Sequence, residues 1–311
     1  MNIGDSDLKT TGIALGGNTF GWTADVAQTA DILDAFVELG GTLVDTADVY
    51  SAWAEGNEGG ESEAAMGQWL EKPGNHKKLA VATKVSQKPG REGLAPENVR
   101  KAAEESLERL RIDQIDLYYA HQDDADVPMD EMAHAFSELA SEGLIKEIGL
   151  SNFEPDRLEL WMEVAKDKGY KLPVALQPHY NLVFRKDFEA QRQDFARKWN
   201  LAVFPYFSLA AGFLTGKYER DTAINGDRAS MVDVYVNDQA YDVVDALRKI
   251  ASAQGVTPAA VALAWLRARD TVAAPLASAR NVEQLEQIMP GAQLELSDTD
   301  LTVLTELSKG L

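Results

Sequence analysis

The chain contains no cysteine among its 311 residues, which excludes disulfide bonds and thiolate zinc sites. Basic residues are also scarce, because 30 lysines and arginines stand against 50 aspartates and glutamates. The resulting formal net charge of −20 repels nucleic-acid phosphates and anionic membrane surfaces, so we expect neither nucleic acid nor a membrane as a partner. Solubility is the simplest explanation of this acidity.

Long apolar runs are missing too, and the N-terminus has no basic region followed by an apolar stretch. We therefore predict no membrane span and no signal peptide, and we expect a soluble cytoplasmic protein. The chain also lacks a Gly-x-Gly-x-x-Gly fingerprint before a helix, the usual mark of a doubly wound dinucleotide-binding fold. With 45% hydrophobic residues, it can still build a sizeable core.

The dominant pattern is an alternation of short apolar strands and amphipathic helices. Strands are predicted at residues 13–17, 42–45, 79–83, 115–119, 145–150, 174–177, 202–206 and 272–274. Helices are predicted at residues 25–39, 96–110, 129–141, 156–168, 187–199, 239–253 and 258–267. This alternation implies a parallel sheet of right-handed crossovers, and eight units at this length favour a (β/α)8 TIM barrel. We predict a single domain over residues 1–311.

Two segments depart from the repeat. Residues 216–238 are polar and carry no strand signal, which predicts a long loop after the seventh strand. Loops of this length inside a compact domain are usually functional. Residues 297–309 begin with a Ser-Asp cap and predict an added surface helix at the C-terminal end.

Four chemically active side chains follow the ends of predicted strands. Asp45 and Tyr50 lie in the run from residue 44 to residue 50, and Lys84 and His121 follow the third and fourth strands. The active site of a TIM barrel lies at the C-terminal ends of its strands, so these side chains are expected to converge. A tyrosine with its ordinary pKa of about 10 is a poor acid, and a lysine held by an aspartate favours its phenolate. Such a set can donate a proton to a carbonyl oxygen.

Each residue alone has a plain structural interpretation: a buried structural histidine, a helix-capping aspartate, a surface lysine or a rim tyrosine. The joint pattern favours catalysis over these four separate explanations. The sequence His121-Gln122-Asp123-Asp124 also suggests a metal-dependent hydrolase. The chain has only four histidines (His76, His121, His134 and His179), and His134 lies in a predicted helix, so we expect no metal site.

Three motifs together resemble the catalytic tetrad of the aldo-keto reductase superfamily in order and spacing. They are Asp-Thr-Ala-Asp-Val-Tyr at 45–50, Thr-Lys at 83–84 and Tyr-Tyr-Ala-His at 118–121. The resemblance implies that Tyr50 donates the proton, that Asp45 and Lys84 tune it, and that His121 orients the carbonyl. It also implies a hydride from NADPH and an aldehyde, ketone or sugar-like substrate. Because some family members with glutamate in place of the histidine reduce carbon–carbon double bonds, His121 favours carbonyl chemistry.

The same resemblance assigns cofactor residues. The nicotinamide end falls to Asn18, Thr19, Asp45, Ser151, Asn152 and Gln177. The stacking ring and the phosphate loop fall to Tyr206, Ser208, Leu209, Gly212 and Lys217. The adenosine 2′-phosphate falls to Ser278, Arg280 and Gln284, so NADP is expected rather than NAD. The chain departs from the common family pattern at Phe207-Ser208, Ala277-Ser278 and Ile288.

Several alternatives stay open. Ser151 and Asn152 could simply cap the following helix, and Arg280 could be a solvated charge at a helix start. Trp22, Trp53 and Phe184 are expected to wall the substrate pocket, although tryptophans at this density could equally be core residues. A nucleotide-bound regulatory barrel similar to potassium-channel β-subunits is the second functional hypothesis. The predicted barrel begins near residue 13, so the chain shows no inactivation-like N-terminal extension, which counts against that hypothesis. The oligomeric state is left open.

Overall fold

Eight parallel strands form the sheet of the computed structural model, which describes residues 1–220, 222 and 229–311. The strands are β1 Ala14–Gly16, β2 Leu43–Asp45, β3 Ala80–Val85, β4 Ile115–Ala120, β5 Ile145–Ser151, β6 Ala175–Gln177, β7 Ala202–Val203 and β8 Leu276–Ala277. They pair in the order β7-β6-β5-β4-β3-β2-β1-β8. A parallel bridge between Val203 and Val272 closes the ring, so the predicted (β/α)8 barrel is confirmed.

Helices surround this barrel. They are α1 Val26–Glu38, α2 Glu61–Leu70, α3 Pro96–Leu110, α4 Met129–Ser141, α5 Pro155–Lys168, α6 Gln193–Lys198, α7 Ala229–Asp233, α8 Asp238–Gln254, α9 Pro258–Arg267, α10 Val282–Ile288 and α11 Asp298–Leu307. A π-helical turn, Phe188–Arg192, leads into α6. None of the helices in the described parts of the chain combines the length and the apolar character needed to cross a bilayer.

The predicted position of the eighth strand is wrong. Residues 272–274 contact β7, since Val272 bridges Val203 and the Ala273 N–H donates to the Val203 carbonyl at 2.9 Å. The strand that pairs with β1 lies further on, at Leu276–Ala277. Pro275 stands between these two segments and has no N–H to donate, yet contact with the β7 side continues beyond it, because the Leu276 N–H donates to the Pro205 carbonyl at 2.9 Å.

The sequence prediction omitted α2, and it did not include the short helix within the predicted loop after β7. The face that α2 buries includes Ser62 and Glu63 beside its apolar residues, and these polar side chains obscure the helical period. The predicted loop at 216–238 contains the short helix α7, and its residues 221 and 223–228 lie outside the described part of the chain. The predicted C-terminal helix is confirmed as α11, capped by Ser297.

Local signals explain where helices begin. Asp25 and Gln28 form a reciprocal capping box at the start of α1, and proline occupies the first turn of α3, α5 and α9. The loops at the C-terminal ends of the strands differ in length: residues 152–154 connect β5 to α5, whereas residues 46–60 connect β2 to α2. These loops lie at the end of the barrel where TIM-barrel active sites are found.

Two layers of apolar side chains make up the core. One lies between the strands and the helices, and the other fills the barrel interior with small residues around Leu117, Tyr119 and Phe204. Gly149 illustrates how tight this interior is, because a Cβ at that position would lie 2.3 Å from the ring of Tyr119. The absence of a side chain there lets a complete tyrosine ring sit inside the barrel, directly before the strand end that carries His121.

Candidate active site

Lys84 is the centre of a buried hydrogen-bonded cluster at the strand ends. Its Nζ donates to Asp45 Oδ2 at 2.6 Å, to the Thr46 carbonyl at 2.7 Å and to the Tyr50 hydroxyl at 3.0 Å. The side chain of Lys84 is 0% exposed and that of Asp45 is 2% exposed. All three hydrogens of the ammonium therefore have a protein acceptor, which leaves Lys84 little freedom to move.

The charged and polar groups of this cluster shift one another's pKa values. Burial lowers the pKa of Lys84, but the Asp45 carboxylate and the Tyr50 hydroxyl outweigh it, so the pKa lies above its ordinary value. Burial raises the pKa of Tyr50, while the Lys84 ammonium acts in the opposite direction without cancelling the effect. Lys84 is thus a cation and Tyr50 an intact phenol at neutral pH. A phenol beside a fixed cation can give up its proton to a group that develops negative charge.

His121 completes the group of four predicted catalytic residues. Its ring centroid lies 6.2 Å from that of Tyr50, with the planes at 72°. His121 is half-buried, and burial and the nearby Lys84 charge lower its pKa well below the ordinary value. It is therefore a neutral imidazole. Its Nδ1 is buried and has no hydrogen-bond partner within the described residues.

Three amide and hydroxyl side chains border the tetrad on the side of β5 and β6. Gln177 donates from Nε2 to Asp45 Oδ1 at 2.9 Å, and the Ser151 hydroxyl donates to the Gln177 carbonyl at 2.8 Å. Asn152, which has a φ of 55°, donates from Nδ2 to the His121 carbonyl at 2.8 Å. A non-glycine residue in the left-handed region is uncommon and is often found at functional sites. The structure thus brings these three predicted residues to the tetrad.

The backbone of the loop after β7 is strained near residues 207–212. Phe207, Ala210 and Ala211 have φ values of 51°, 49° and 54°, and Gly212 follows with a φ of 101°. Such clusters of positive φ turn backbone N–H groups toward one side and form anion-binding concavities. A Cβ at Gly212 would lie 3.5 Å from Lys217 Nζ, so the lysine reaches back over this loop. Ser208 is buried and donates to the Pro205 carbonyl at 2.8 Å, which fixes the loop from below.

Residues from the two ends of the chain meet near β1 and β8. The hydroxyl of Thr19 donates to the Ala279 carbonyl at 2.8 Å, while Asn18 Oδ1 is buried without a hydrogen-bond partner in the described structure. Gln284 accepts from the Arg280 N–H at 3.1 Å. The Arg280 side chain is exposed, and no acidic residue of the described chain forms an ion pair with it.

The predicted pocket residues fall into two aromatic groups. Trp22 and Trp53 lie edge to face at 5.8 Å, and Trp53 is 6.0 Å from the Tyr50 ring, so both tryptophans adjoin the tetrad. Trp53 is 51% exposed, which is inconsistent with a core role. Phe184 instead stacks on His179 at 3.9 Å, on the side of β6.

Sequence reasoning missed a second buried polar cluster beneath the tetrad loop. Glu63 accepts from the Thr83 hydroxyl at 2.6 Å and from Arg109 Nε at 2.7 Å, and it is fully buried. Asp48 lies between Asp45 and Tyr50, is 1% exposed and has no hydrogen-bond partner for either carboxylate oxygen within the described residues. The sequence offered one signal for Asp48, since it is a second aspartate in the run that contains Asp45 and Tyr50.

The two acids after His121 have structural partners. Asp123 receives two hydrogen bonds from Arg157, at 2.7 and 2.9 Å, and Asp124 accepts from the Leu94 N–H at 2.8 Å. Across the described residues, no three histidine or acidic side chains are grouped as metal ligands would be.

Comparison with known proteins agrees with this geometry. A profile of the Aldo/keto reductase family matches residues 12–309. The chain is 30% identical to Protein tas of Escherichia coli over 325 aligned positions, covering 95% of this chain and 93% of that protein. It is 28% identical to aldo-keto reductase yakc [NADP(+)] of Schizosaccharomyces pombe, covering 92% and 84%. It is also 30% identical to a protein of the same yeast provisionally named voltage-gated potassium channel subunit beta, covering 91% and 85%.

Proposed function

Because the chain belongs to the aldo/keto reductase family, we propose that it reduces the carbonyl group of an aldehyde, ketone or sugar-like compound with NADPH, and oxidises the alcohol in reverse. The buried Lys84 ammonium, bonded at once to Asp45 and Tyr50, is the observation that carries this proposal. Bound NADPH would supply the hydride. The chain supplies the proton and the polar environment that this transfer requires.

The residues present fit a nicotinamide cofactor. Asn18 Oδ1 is a buried acceptor without a partner in the described structure, and a carboxamide or ribose hydroxyl is a suitable donor for it. Ser151, Asn152 and Gln177 offer both donors and acceptors at the strand ends, as a carboxamide needs. Ser208, Leu209, Gly212 and Lys217 would hold the pyrophosphate, with Tyr206 against the nicotinamide ring.

Within this proposal each tetrad residue has a distinct task. Tyr50 gives its hydroxyl proton to the carbonyl oxygen, and Lys84 stabilises the resulting phenolate at 3.0 Å. Asp45 keeps Lys84 charged and in place. His121, as a neutral imidazole, donates a hydrogen bond that orients the carbonyl without competing as a proton source. Trp22 and Trp53 would form one wall of the substrate pocket.

A nucleotide-bound regulatory barrel is the second candidate, because one relative bears the name of a channel subunit. Both candidates would bind the nucleotide, so binding alone does not separate them. Steady-state turnover of carbonyl compounds distinguishes them, because only the reductase is expected to show it.

The test is a titration of the purified protein with NADPH and NADH, followed by the fluorescence of its six tryptophans. Tight NADPH binding and turnover of an aldehyde or ketone, measured as loss of nicotinamide absorbance, would support the reductase. NADPH binding without turnover across a broad carbonyl set would favour the regulatory barrel. Absence of binding by either nucleotide would refute both candidates.

Arg280→Ala is expected to raise the NADPH dissociation constant by about 10- to 100-fold, because a charge-assisted phosphate contact contributes about 1.5–3 kcal/mol. NADH has no 2′-phosphate, so its affinity is expected to stay the same. The same fluorescence titration measures both constants. Arg197→Ala is the matched control, since that exposed arginine pairs with Asp270. Equal weakening of NADPH and NADH by Arg280→Ala would count against a 2′-phosphate site.

A further inference from the structure

Three rings are stacked at the ends of β6 and β7. The ring of His179 lies 3.9 Å from that of Phe184 with the planes at 9°, and 5.3 Å from that of Tyr206 with the planes at 20°. His179 and Tyr206 also form a parallel backbone bridge. Because His179 covers one face of the Tyr206 ring, only the opposite face can receive another planar group.

The edge of the His179 ring has a separate partner. Its Nε2 lies 2.8 Å from the hydroxyl of Tyr235, a residue that follows α7 and is 3% exposed. Burial lowers the pKa of His179 to about 4, and the Asp187 charge opposes this only in part. The imidazole is therefore neutral at pH 7. This hydrogen bond joins the segment after β6 to the segment that precedes α8.

Tyr206 is held at its own edge as well. Its hydroxyl donates to Asn152 Oδ1 at 2.9 Å, and Asn152 Nδ2 donates to the His121 carbonyl at 2.8 Å. A continuous line of contacts thus runs from Tyr235 through His179, Tyr206 and Asn152 to the tetrad histidine. A shift of the His179 ring would tilt Tyr206 and disturb this line.

We propose that His179 is a positioning residue for the nicotinamide ring: stacked between Phe184 and Tyr206 and anchored by Tyr235, it fixes the plane of the Tyr206 ring on which the nicotinamide stacks. The inference rests on the proposed function, because that function assigns Tyr206 to the nicotinamide. His179 acts through Tyr206 and contacts neither hydride nor proton.

Histidine suits this position for a physical reason. Its ring has two flat faces for the flanking aromatic rings and a polar edge for the Tyr235 hydroxyl. Phenylalanine at this position would keep the stacking on the flanking rings and lose the hydrogen bond to the Tyr235 hydroxyl. The two functions can therefore be separated by substitution, which makes the hydrogen bond testable without dismantling the stack.

The experiment uses His179→Phe, Tyr235→Phe and the double variant, each titrated with NADPH and with adenosine 2′,5′-bisphosphate. The bisphosphate carries the adenosine end of the cofactor and lacks nicotinamide. We expect either single variant to raise the NADPH dissociation constant about fivefold, the size of one lost hydrogen bond, and to leave the bisphosphate affinity unchanged. The double variant should be no weaker than Tyr235→Phe alone, because Tyr235→Phe already removes the hydrogen bond that His179→Phe removes.

His134→Phe and Tyr170→Phe are the matched controls, since they form another histidine–tyrosine contact, at 5.1 Å between ring centroids. Both should bind NADPH as the wild type does. Unchanged NADPH affinity in the His179 and Tyr235 variants would overturn this inference and leave the proposed function intact. Equal weakening of NADPH and bisphosphate would also overturn it, since that indicates a general loosening. A wild type that binds no NADPH refutes the proposed function and the inference together.

Discussion

Tyr50→Phe is expected to lower carbonyl reduction by about 10²- to 10⁴-fold, the usual contribution of a positioned general acid. The substitution removes one oxygen and keeps the ring that contacts Trp53 and His121. The other two proton-bearing side chains of the tetrad are poorer donors, since His121 is neutral and Lys84 already donates to three acceptors. NADPH affinity should stay near the wild-type value, because the phenol is not among the cofactor contacts we propose.

The pH dependence follows from the same groups. Burial raises the pKa of Tyr50, so the phenol keeps its proton through the neutral range and reduction should fall only at strongly alkaline pH. The pKa of His121 is lowered, so the rate should show no step near the ordinary histidine value. Rates of NADPH oxidation between about pH 6 and about pH 11 measure both the absence of a step near the histidine value and the fall at alkaline pH.

Tyr170→Phe is the control for the first variant, because that tyrosine contacts His134 and takes no part in the tetrad. Full activity of Tyr50→Phe would show that another group donates the proton. A rate that follows a group titrating near pH 6.5 would mean that His121 exchanges protons during turnover.

The convergence of Asp45 and Lys84 could be predicted from the sequence because parallel strands place their C-terminal ends at one edge. Both residues lie at the ends of strands with unbroken apolar patterns, and the observed registers pair β2 with β3 directly. The contact of 2.6 Å between Asp45 Oδ2 and Lys84 Nζ is consistent with that topology. The same reasoning failed for the eighth strand, where the apolar run at 272–274 placed the prediction ahead of Leu276 and Ala277, the residues that pair with β1.

Other features depend on contacts that no local pattern encodes. His179 and Tyr235 are 56 residues apart, and neither lies in a motif that reveals the other. The direction of the pKa shift of Tyr50 also could not be predicted from a local pattern. The sequence argument stressed the Lys84 charge, which favours the phenolate, whereas burial, which opposes it, is the larger effect in the folded chain. Burial of a given side chain is a tertiary property, so its size could not be judged beforehand.

Asp48→Asn is expected to stabilise the protein increasingly as the pH rises. Burial, and next the charge of Glu63, raise the pKa of Asp48 to about 8, while Arg109, Lys88 and the nearby Val49 N–H lower it in part. The unfolded carboxyl titrates near its ordinary value of 3.8. Between these values the folded state binds the extra proton, so the wild type loses stability as the pH rises from about 4 to about 8. Asparagine has nearly the same shape and cannot ionise.

The size of the effect follows from linkage. Each pH unit between the two pKa values changes the free energy of unfolding by about 1.4 kcal/mol, so the advantage of Asp48→Asn should grow by about 4 kcal/mol between pH 5 and pH 8. Urea unfolding of both proteins at these two pH values measures it. Asp126→Asn, at an exposed aspartate, should show no comparable growth.

The outcome also tests the interpretation of the cluster beneath the tetrad loop. Asp48 has no hydrogen-bond partner for its carboxylate within the described residues, and ionising it there would place an unpaired charge beside the Glu63 carboxylate. A stability difference that stays constant from pH 5 to pH 8 would mean that Asp48 is already ionised in the folded protein. In that case Arg109 or Lys88 would have to pair with it, and the loop between Asp45 and Tyr50 would be held by an ion pair rather than by a neutral acid.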